Sequence, residues 1–229
     1  MPKKSKRFRL EEQKVDGDKR YDLVSAIQIL KSMNSTGFDQ TVELAIKLNI
    51  DPKKSDQGIR GSIALPQGIG KSRRVIVFAD GEDATAAEEA GADEVGMADL
   101  AKKIQDGWLD FDVALALPRT MRVIARLGKV LGPQGKMPSP KSGTVTDKIK
   151  EAVKEFKAGK IEFRNDSAGN IHAGVGKLSF PDAGLKENVE VFVEHIRSLR
   201  PSAVKGHYVE NVVLSASMSP GVAIEFQKA

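Results

Sequence analysis

From Thr41 to Ile50 the chain alternates without a break. Val42, Leu44, Ile46, Leu48 and Ile50 share one side, and Thr41, Glu43, Ala45, Lys47 and Asn49 share the other. A period of two predicts a strand with one buried face. Upstream, Leu23, Ile27 and Leu30 recur at helical spacing behind Asp22. An aspartate there suits an N-cap, so a helix is predicted over 23–33, ended by Asn34-Ser-Thr-Gly37. Ile59–Leu65 reads as a second strand, with Ile59, Ile63 and Leu65 inward and Arg60 outward. Beyond Pro66-Gln-Gly-Ile-Gly70 the pattern changes. Val75–Ala79 and Phe111–Leu117 are continuous apolar runs, as strands covered on both faces require, with a short strand at Glu94-Val-Gly96 between them. Helical stretches fall between and after these strands: an Ala- and Glu-rich run to Ala90, then Leu100–Ile104, Met121–Val130 and Lys148–Lys157. After Gly159 the half-buried alternation returns. Ile161–Arg164 and Ile171–Val175 flank Asn165-Asp-Ser-Ala-Gly169 and read as a hairpin. Leu185, Val189, Phe192, Ile196 and Leu199 follow 4, 3, 4, 3 spacing, a helix that Pro201 stops. Tyr208–Ser217 and Val222–Phe226 are the last strands.

Strands alternating with helices indicate a parallel α/β domain. The two ends share a different, α+β style. The expected organisation is therefore a discontinuous α+β domain, residues 1–67 and 160–229, interrupted by an inserted α/β domain, residues 68–159. The two chain crossings, Pro66–Gly70 and Ala158–Lys160, are glycine-bearing and would form a two-strand hinge.

Charge narrows the function. Lys plus Arg is 36 against 31 acids, a net charge of +5, and the pI is about 9.3. A mild basic excess favours an anionic partner without proving one. There is no cysteine, which excludes disulfides and thiolate metal sites. No apolar run approaches the length of a membrane span, and Met1–Leu10 carries five basic residues with no apolar stretch after it, unlike a secretory signal. A cytoplasmic protein is expected. Lys3, Lys4, Lys6, Arg7 and Arg9 form either a solvated tail or an arm that orders on phosphate. Charge is polarised in the middle of the chain. Asp80–Asp112 holds eleven acids against Lys102 and Lys103, whereas Val113–Thr146 holds Arg119, Arg122, Arg126, Lys129, Lys136 and Lys141 and no acid. That basic stretch is a candidate second surface facing RNA.

No catalytic constellation is legible. His172, His195 and His207 have no zinc-ligand spacing. His195 lies beside an apolar stripe, and His172 can reach phosphate from the hairpin, near Arg164 and Lys177. Gly68-Ile-Gly70-Lys71-Ser72 suggests a phosphate loop, but Leu65 stands where its first glycine belongs, and the buried strand follows this loop instead of preceding it. A nucleotide-using α/β enzyme is thus the rival reading, and an interdomain linker the preferred one. No cofactor or metal is expected.

The most specific run is Leu131-Gly-Pro-Gln-Gly-Lys-Met-Pro-Ser-Pro-Lys-Ser-Gly-Thr144, with three prolines and three glycines. Such a run must be a shaped loop. It could present Lys136, Lys141 and backbone amides to phosphate, or be a plain surface connection. The pattern Leu-Gly-Pro-x-Gly-x-Met-Pro-x-Pro-Lys-x-Gly-Thr resembles the signature of the ribosomal protein L-one family. Phe38-Asp-x-Thr-Val-Glu and Ser55-Asp-Gln-Gly-Ile-Arg-Gly61 resemble further segments of it. The resemblance spans essentially the whole chain. It implies a two-segment RNA-binding domain with a Rossmann-like insertion, in a protein of the mobile side stalk of the large ribosomal subunit, bacterial type, monomeric when free. The implied partners are 23S ribosomal RNA, the rest of the large subunit, transfer RNA leaving the exit site, and the messenger RNA of its own operon, which it represses.

The resemblance places RNA contacts on Phe38, Thr41, Glu43 and the Ser217-Met218-Ser219 turn. From the strand pattern, Lys47, Arg60, Arg164, Asn165, Asp166, His172 and Lys177 can converge on the same surface. Glu43 can only accept, so it would take a 2′-OH or a base amino group, whereas Lys47, Arg60 and Lys177 would hold phosphate. Two alternatives stay open: Phe38 could be core, and the turn could simply end the last long strand with Met218 inside. The chain also departs from the family, with Gly37 where a lysine is common and Ser217-Met218-Ser219 for Thr-Met-Gly.

Overall fold

A computed structural model describes residues 4–33, 36–54 and 56–226. Lys3 of the basic arm, Asn34 and Ser35 of the helix stop, and Ser55 of the second family segment lie outside the described residues. The chain divides into two compact units, one built from the segments up to Gly70 and from Ile161 onward, the other from Lys71–Lys160. The first segment carries α1 (Lys6–Glu12), α2 (Leu23–Ser32), β1 (Thr41–Leu48) and β2 (Arg60–Ala64). Next come β3 (Val75–Phe78), α3 (Glu82–Glu89), β4 (Glu94–Gly96), α4 (Ala98–Gln105), β5 (Val113–Ala116), α5 (Met121–Ile124), α6 (Gly128–Leu131) and α7 (Ile149–Ala158). The last stretch carries β6 (Lys160–Arg164), β7 (Asn170–Lys177), α8 (Asp182–Ser198), β8 (Val209–Ala216) and β9 (Val222–Ile224).

In the first unit, β7-β1-β8-β9 form an antiparallel sheet. Val42, Leu44, Ile46 and Leu48 of β1 are fully buried, and α2 and α8 pack on that face. Asp22 caps α2 as the sequence indicates, accepting from the amides of Val24 and Ser25 and from the Ser25 hydroxyl. Those donors hold its carboxyl below the usual range. At the sheet edge, Tyr21 donates its amide to the Ala223 carbonyl and accepts from the Glu225 amide.

Three expectations need correction here. The basic arm is not a tail: Ser5 accepts from the Phe8 amide and starts α1. The predicted hairpin does not pair with itself along its length. β6 joins β2 in a separate two-stranded sheet and β7 joins β1. Among the described residues the two arms meet only next to the turn, at the Asn165–Ile171 bridge and where the Asp166 amide donates to the Asn170 carbonyl. The chain changes sheets because Phe163 of β6 is drawn onto α8, edge-on to Phe192 at 5.5 Å and to His195 at 5.7 Å. Burial beside Phe163 pushes the His195 imidazole down. Finally, Gln67–Gly70 is not free linker. The Gln67 amide donates to Asn188 Oδ1, and Asn188 Nδ2 donates to the Gly68 and Val175 carbonyls. Gly70 sits at φ +68°, where a Cβ would come within 2.8 Å of Phe180 and 2.9 Å of Lys177.

Tyr208 is 1 % exposed and its hydroxyl has no hydrogen-bond partner among the described residues. Desolvation pushes the phenol up. Removing an unpaired buried hydroxyl relieves a desolvation cost. Tyr208→Phe should therefore leave stability unchanged or raise it by up to about 1 kcal/mol in a denaturant titration; a clear loss would mean that the hydroxyl has a partner.

In the second unit β4-β3-β5 are parallel, and both faces are covered. Val75, Val77 and Leu115 meet Ile149, Val153 and Phe156 on one side. Ile76 and Phe78 meet Leu100, Ile104, Leu127 and Leu131 on the other. Each apolar run is continuous because its alternate residues serve two cores. The helix predicted over Met121–Val130 is broken into α5, a 3-10 turn at Ala125–Leu127, and α6. Gly128 in its interior weakens it by about 1 kcal/mol against alanine. Thr144–Thr146 runs beside β5, exchanging hydrogen bonds with Ala116. Gly159 (φ +113°) ends α7 in the left-handed conformation that glycine tolerates.

Candidate nucleic-acid interface

On the outer face of β1, Glu43 is exposed and Thr41, Ala45 and Lys47 are half-buried, and the candidate residues at and near this face fall into two groups. At one end, β1 begins beside the turn that ends β8. The Ser217 amide donates to the Thr41 carbonyl, and the Thr41 amide donates to Ser217 Oγ. The Ser219 amide donates to the Ala216 carbonyl, and its Oγ accepts from the Ala216 amide. Lys177 Nζ donates to Thr41 Oγ1 and to the Asp39 carbonyl. From this pinned backbone two large apolar side chains project: Phe38 is 53 % exposed and Met218 is 48 % exposed. Neither side chain is core. Glu43 lies one step along the face, opposite Ser215 and Gly174, exposed and without an ion-pair or hydrogen-bond partner among the described residues.

The second group is at the far end of β1, about 20 Å away at strand rise. Lys47 lies opposite Asn170 and Asn211, and its ammonium donates to the Ala168 carbonyl. His172 is next along, exposed, its Nε2 3.8 Å from Asp166. Asp166 caps its own turn, accepting from the amides of Ala168 and Asn170 and from the Asn170 side chain. These donors pull its carboxyl down to about 2. The turn's stabilisation by Asp166 is thus in place above pH about 4, the unfolded value, and is lost as pH falls toward 2. Asn165 ties the two sheet systems together, its Oδ1 accepting from the Ile59 amide at 2.7 Å. Arg164 and Arg60 are exposed on the β2–β6 sheet. Arg164, Asn165, Asp166 and His172 line an open cleft of about 590 Å³. Asn165 and Asp166 thus hold the turn together, and the thirteen residues are not one tight cluster. The sequence missed Gln40, which is buried between the two halves of the first group, with Oε1 accepting from the Met218 amide.

The basic stretch of the second unit also divides. Arg119 pairs with Asp80 and Asp83 at 3.0 and 2.6 Å, so it joins the acidic run instead of opposing it. Lys136 turns inward. Its Nζ donates to the carbonyls of Leu109 and Phe111 and lies 4.8 Å from the Phe111 ring centroid. The signature loop is likewise folded on itself, with Thr144 Oγ1 accepting from the Ser139 amide and 2.9 Å from Ser142 Oγ. Arg122, Arg126, Lys129 and Lys141 remain exposed. Lys136→Ala should accordingly lower the stability of this unit by about 1.5–3 kcal/mol, the range for bonds from a charged donor, with nucleic-acid affinity unaltered. A drop in affinity with no loss of stability in the denaturant curve would return Lys136 to the surface set.

The rival nucleotide site loses its geometry. The Gln67 amide and Gly68 carbonyl are taken up by Asn188, and strand β3, not a helix, follows. Among the described residues no group of three or more His, Asp or Glu side chains is placed to hold a metal ion, and no helix is long and apolar enough to cross a membrane.

The sheets and helices make this a protein of mixed α/β class. The family follows from comparison: residues 30–220 match the ribosomal protein L1p/L10e family, and the chain belongs to it. It is 54 % identical over 226 residues to "Large ribosomal subunit protein uL1" of Thermosipho africanus, covering 98 % of this chain and 97 % of that one. Proteins of the same description from Kosmotoga olearia (50 %, covering 100 % and 99 %) and Fervidobacterium nodosum (53 %, covering 98 % and 96 %) are similar over nearly their whole lengths. The family is one of ribosomal structural proteins, not of enzymes.

Proposed function

We propose that this chain is a constituent of the large ribosomal subunit in the cytoplasm, where it binds 23S ribosomal RNA to form the mobile side stalk. On this reading the first unit holds the RNA and the Lys71–Lys160 unit is a Rossmann-like insertion. The insertion offers Arg122, Arg126, Lys129 and Lys141 to transfer RNA leaving the exit site. The chain also represses its own operon by binding messenger RNA through the first unit, so the two RNAs compete for one surface, and it is monomeric when free.

The observation that carries the RNA site is the pair Phe38 and Met218, both exposed, beside a turn held by the bonds of Ser217 to Thr41 and of the Met218 amide to Gln40. A flat apolar ring and a thioether so placed can pack on unstacked bases or sugar, while Glu43 accepts from a 2′-OH or base amino group. Exposed lysines and arginines add sequence-independent phosphate attraction.

The test is a titration of the chain with a side-stalk RNA fragment and with an unrelated folded RNA, over a range of salt. Phe38→Ala and Met218→Ala should each remove about 1–3 kcal/mol of discrimination between the two RNAs while leaving the salt slope nearly unchanged. Wild-type affinity of both variants for each RNA, with the discrimination between them unchanged, would refute the site. Failure of the chain to co-sediment with large subunits would refute the wider assignment.

A further inference from the structure

We infer that Gln40 is a positioning residue for RNA recognition, locking Met218 in register with Phe38 before any RNA arrives. The inference rests on the RNA site proposed above. Residue 40 shares the parity of Val42, Leu44, Ile46 and Leu48, the buried face of β1. A polar side chain is out of place on that face, yet Gln40 is 1 % exposed. A buried amide must be hydrogen-bonded to be tolerated. Its Oε1 accepts from the Met218 amide at 2.9 Å, and its own carbonyl accepts from the Leu178 amide at 2.9 Å. The Met218 carbonyl in turn lies 3.5 Å from Arg7 Nη2.

Both polar groups of the Met218 peptide are thus addressed from outside the turn. The partner that takes its amide is only two residues beyond Phe38. The spacing of the two projecting side chains is therefore set by one buried amide together with the Ser217–Thr41 bonds. A recognition surface ordered in the free protein avoids the ordering cost at binding. Without the acceptor, the RNA would have to order the turn.

The experiment uses the full chain, with Gln40→Met, which keeps length and apolarity but loses the amide oxygen, and Gln40→Glu, which keeps an acceptor. Two readouts are taken: affinity for the stalk RNA fragment, and the mobility of the Met218 methyl group by methyl NMR in the free protein. Gln40→Met should weaken RNA binding about tenfold, the effect of one hydrogen bond, and make the Met218 methyl more mobile. Gln40→Glu should restore both. If Gln40→Met lowers the melting midpoint but its folded fraction binds RNA like wild type, Gln40 is only architectural and the inference falls. Met218→Ala separates the two failures. If it weakens binding while Gln40→Met does not, the RNA site stands and the role of Gln40 is overturned. If Met218→Ala also binds like wild type, the site itself is wrong and the inference falls with it.

Discussion

Asn188→Leu should lower the unfolding free energy by about 2–4 kcal/mol, more than any exposed substitution in the proposed RNA surface. Asn188 is 0 % exposed and satisfies three backbone groups: the Gln67 amide, the Gly68 carbonyl and the Val175 carbonyl. Leucine fills a similar volume and offers none of these bonds, so each group loses its partner, at about 1 kcal/mol or more apiece. Asn188→Asp should not rescue. It keeps an acceptor for Gln67 but turns a second oxygen toward two carbonyls. Urea unfolding with a probe in the first unit reads the effect directly. A midpoint equal to wild type for the leucine variant would show that water replaces the side chain. Amide exchange at Gln67 should accelerate in parallel.

The largest alteration the chain should survive is removal of residues 71–159, with Gly70 joined to Lys160 through a short Gly-Ser linker. The apolar core of the first unit draws on Ala26–Leu65 and Ile161–Ile224 and on no residue between 71 and 160. The two cores of the second unit draw only on residues within that stretch. A core complete in itself is what independent folding requires. The shortened chain should unfold cooperatively and keep most of the affinity for stalk RNA, because Phe38, Gln40, Glu43 and Met218 all lie in the segments retained. A non-cooperative melt, or binding reduced to that of an unrelated basic protein, would contradict this.

What the sequence revealed and what it hid follow one physical rule. Periodicity reports which face of an element is buried, so β1, α8 and the two-sided runs of β3 and β5 were legible. It does not report which strand lies alongside. β6 and β7 look like hairpin arms locally, and the attraction of Phe163 for the distant Phe192 sends β6 to another sheet. Net charge over a window is blind in the same way. Lys136 and Arg119 count as basic surface in a tally, but one caps carbonyls and the other answers Asp80 and Asp83. Of the site, Phe38, Glu43 and the Ser217–Ser219 turn were marked by the family resemblance. Gln40 was visible only as a polar residue at an inward parity, and Asn188 only as an amide among the buried positions of α8. Both signals become readable once the neighbouring backbone groups are known.

The strand borders have a consequence for the protein before it is assembled. Tyr21 occupies the border of β9, Asn188 reaches the Val175 carbonyl of β7, and Thr144–Thr146 occupies that of β5. On the far side of β3, β4 is only three residues long. An unprotected strand border templates pairing with other chains, and irregular segments laid along it block that growth. At β9 and β5 a newly made copy therefore offers little purchase for strand-by-strand aggregation, whereas β7 is met at one carbonyl and β2 and β6 pair only with each other.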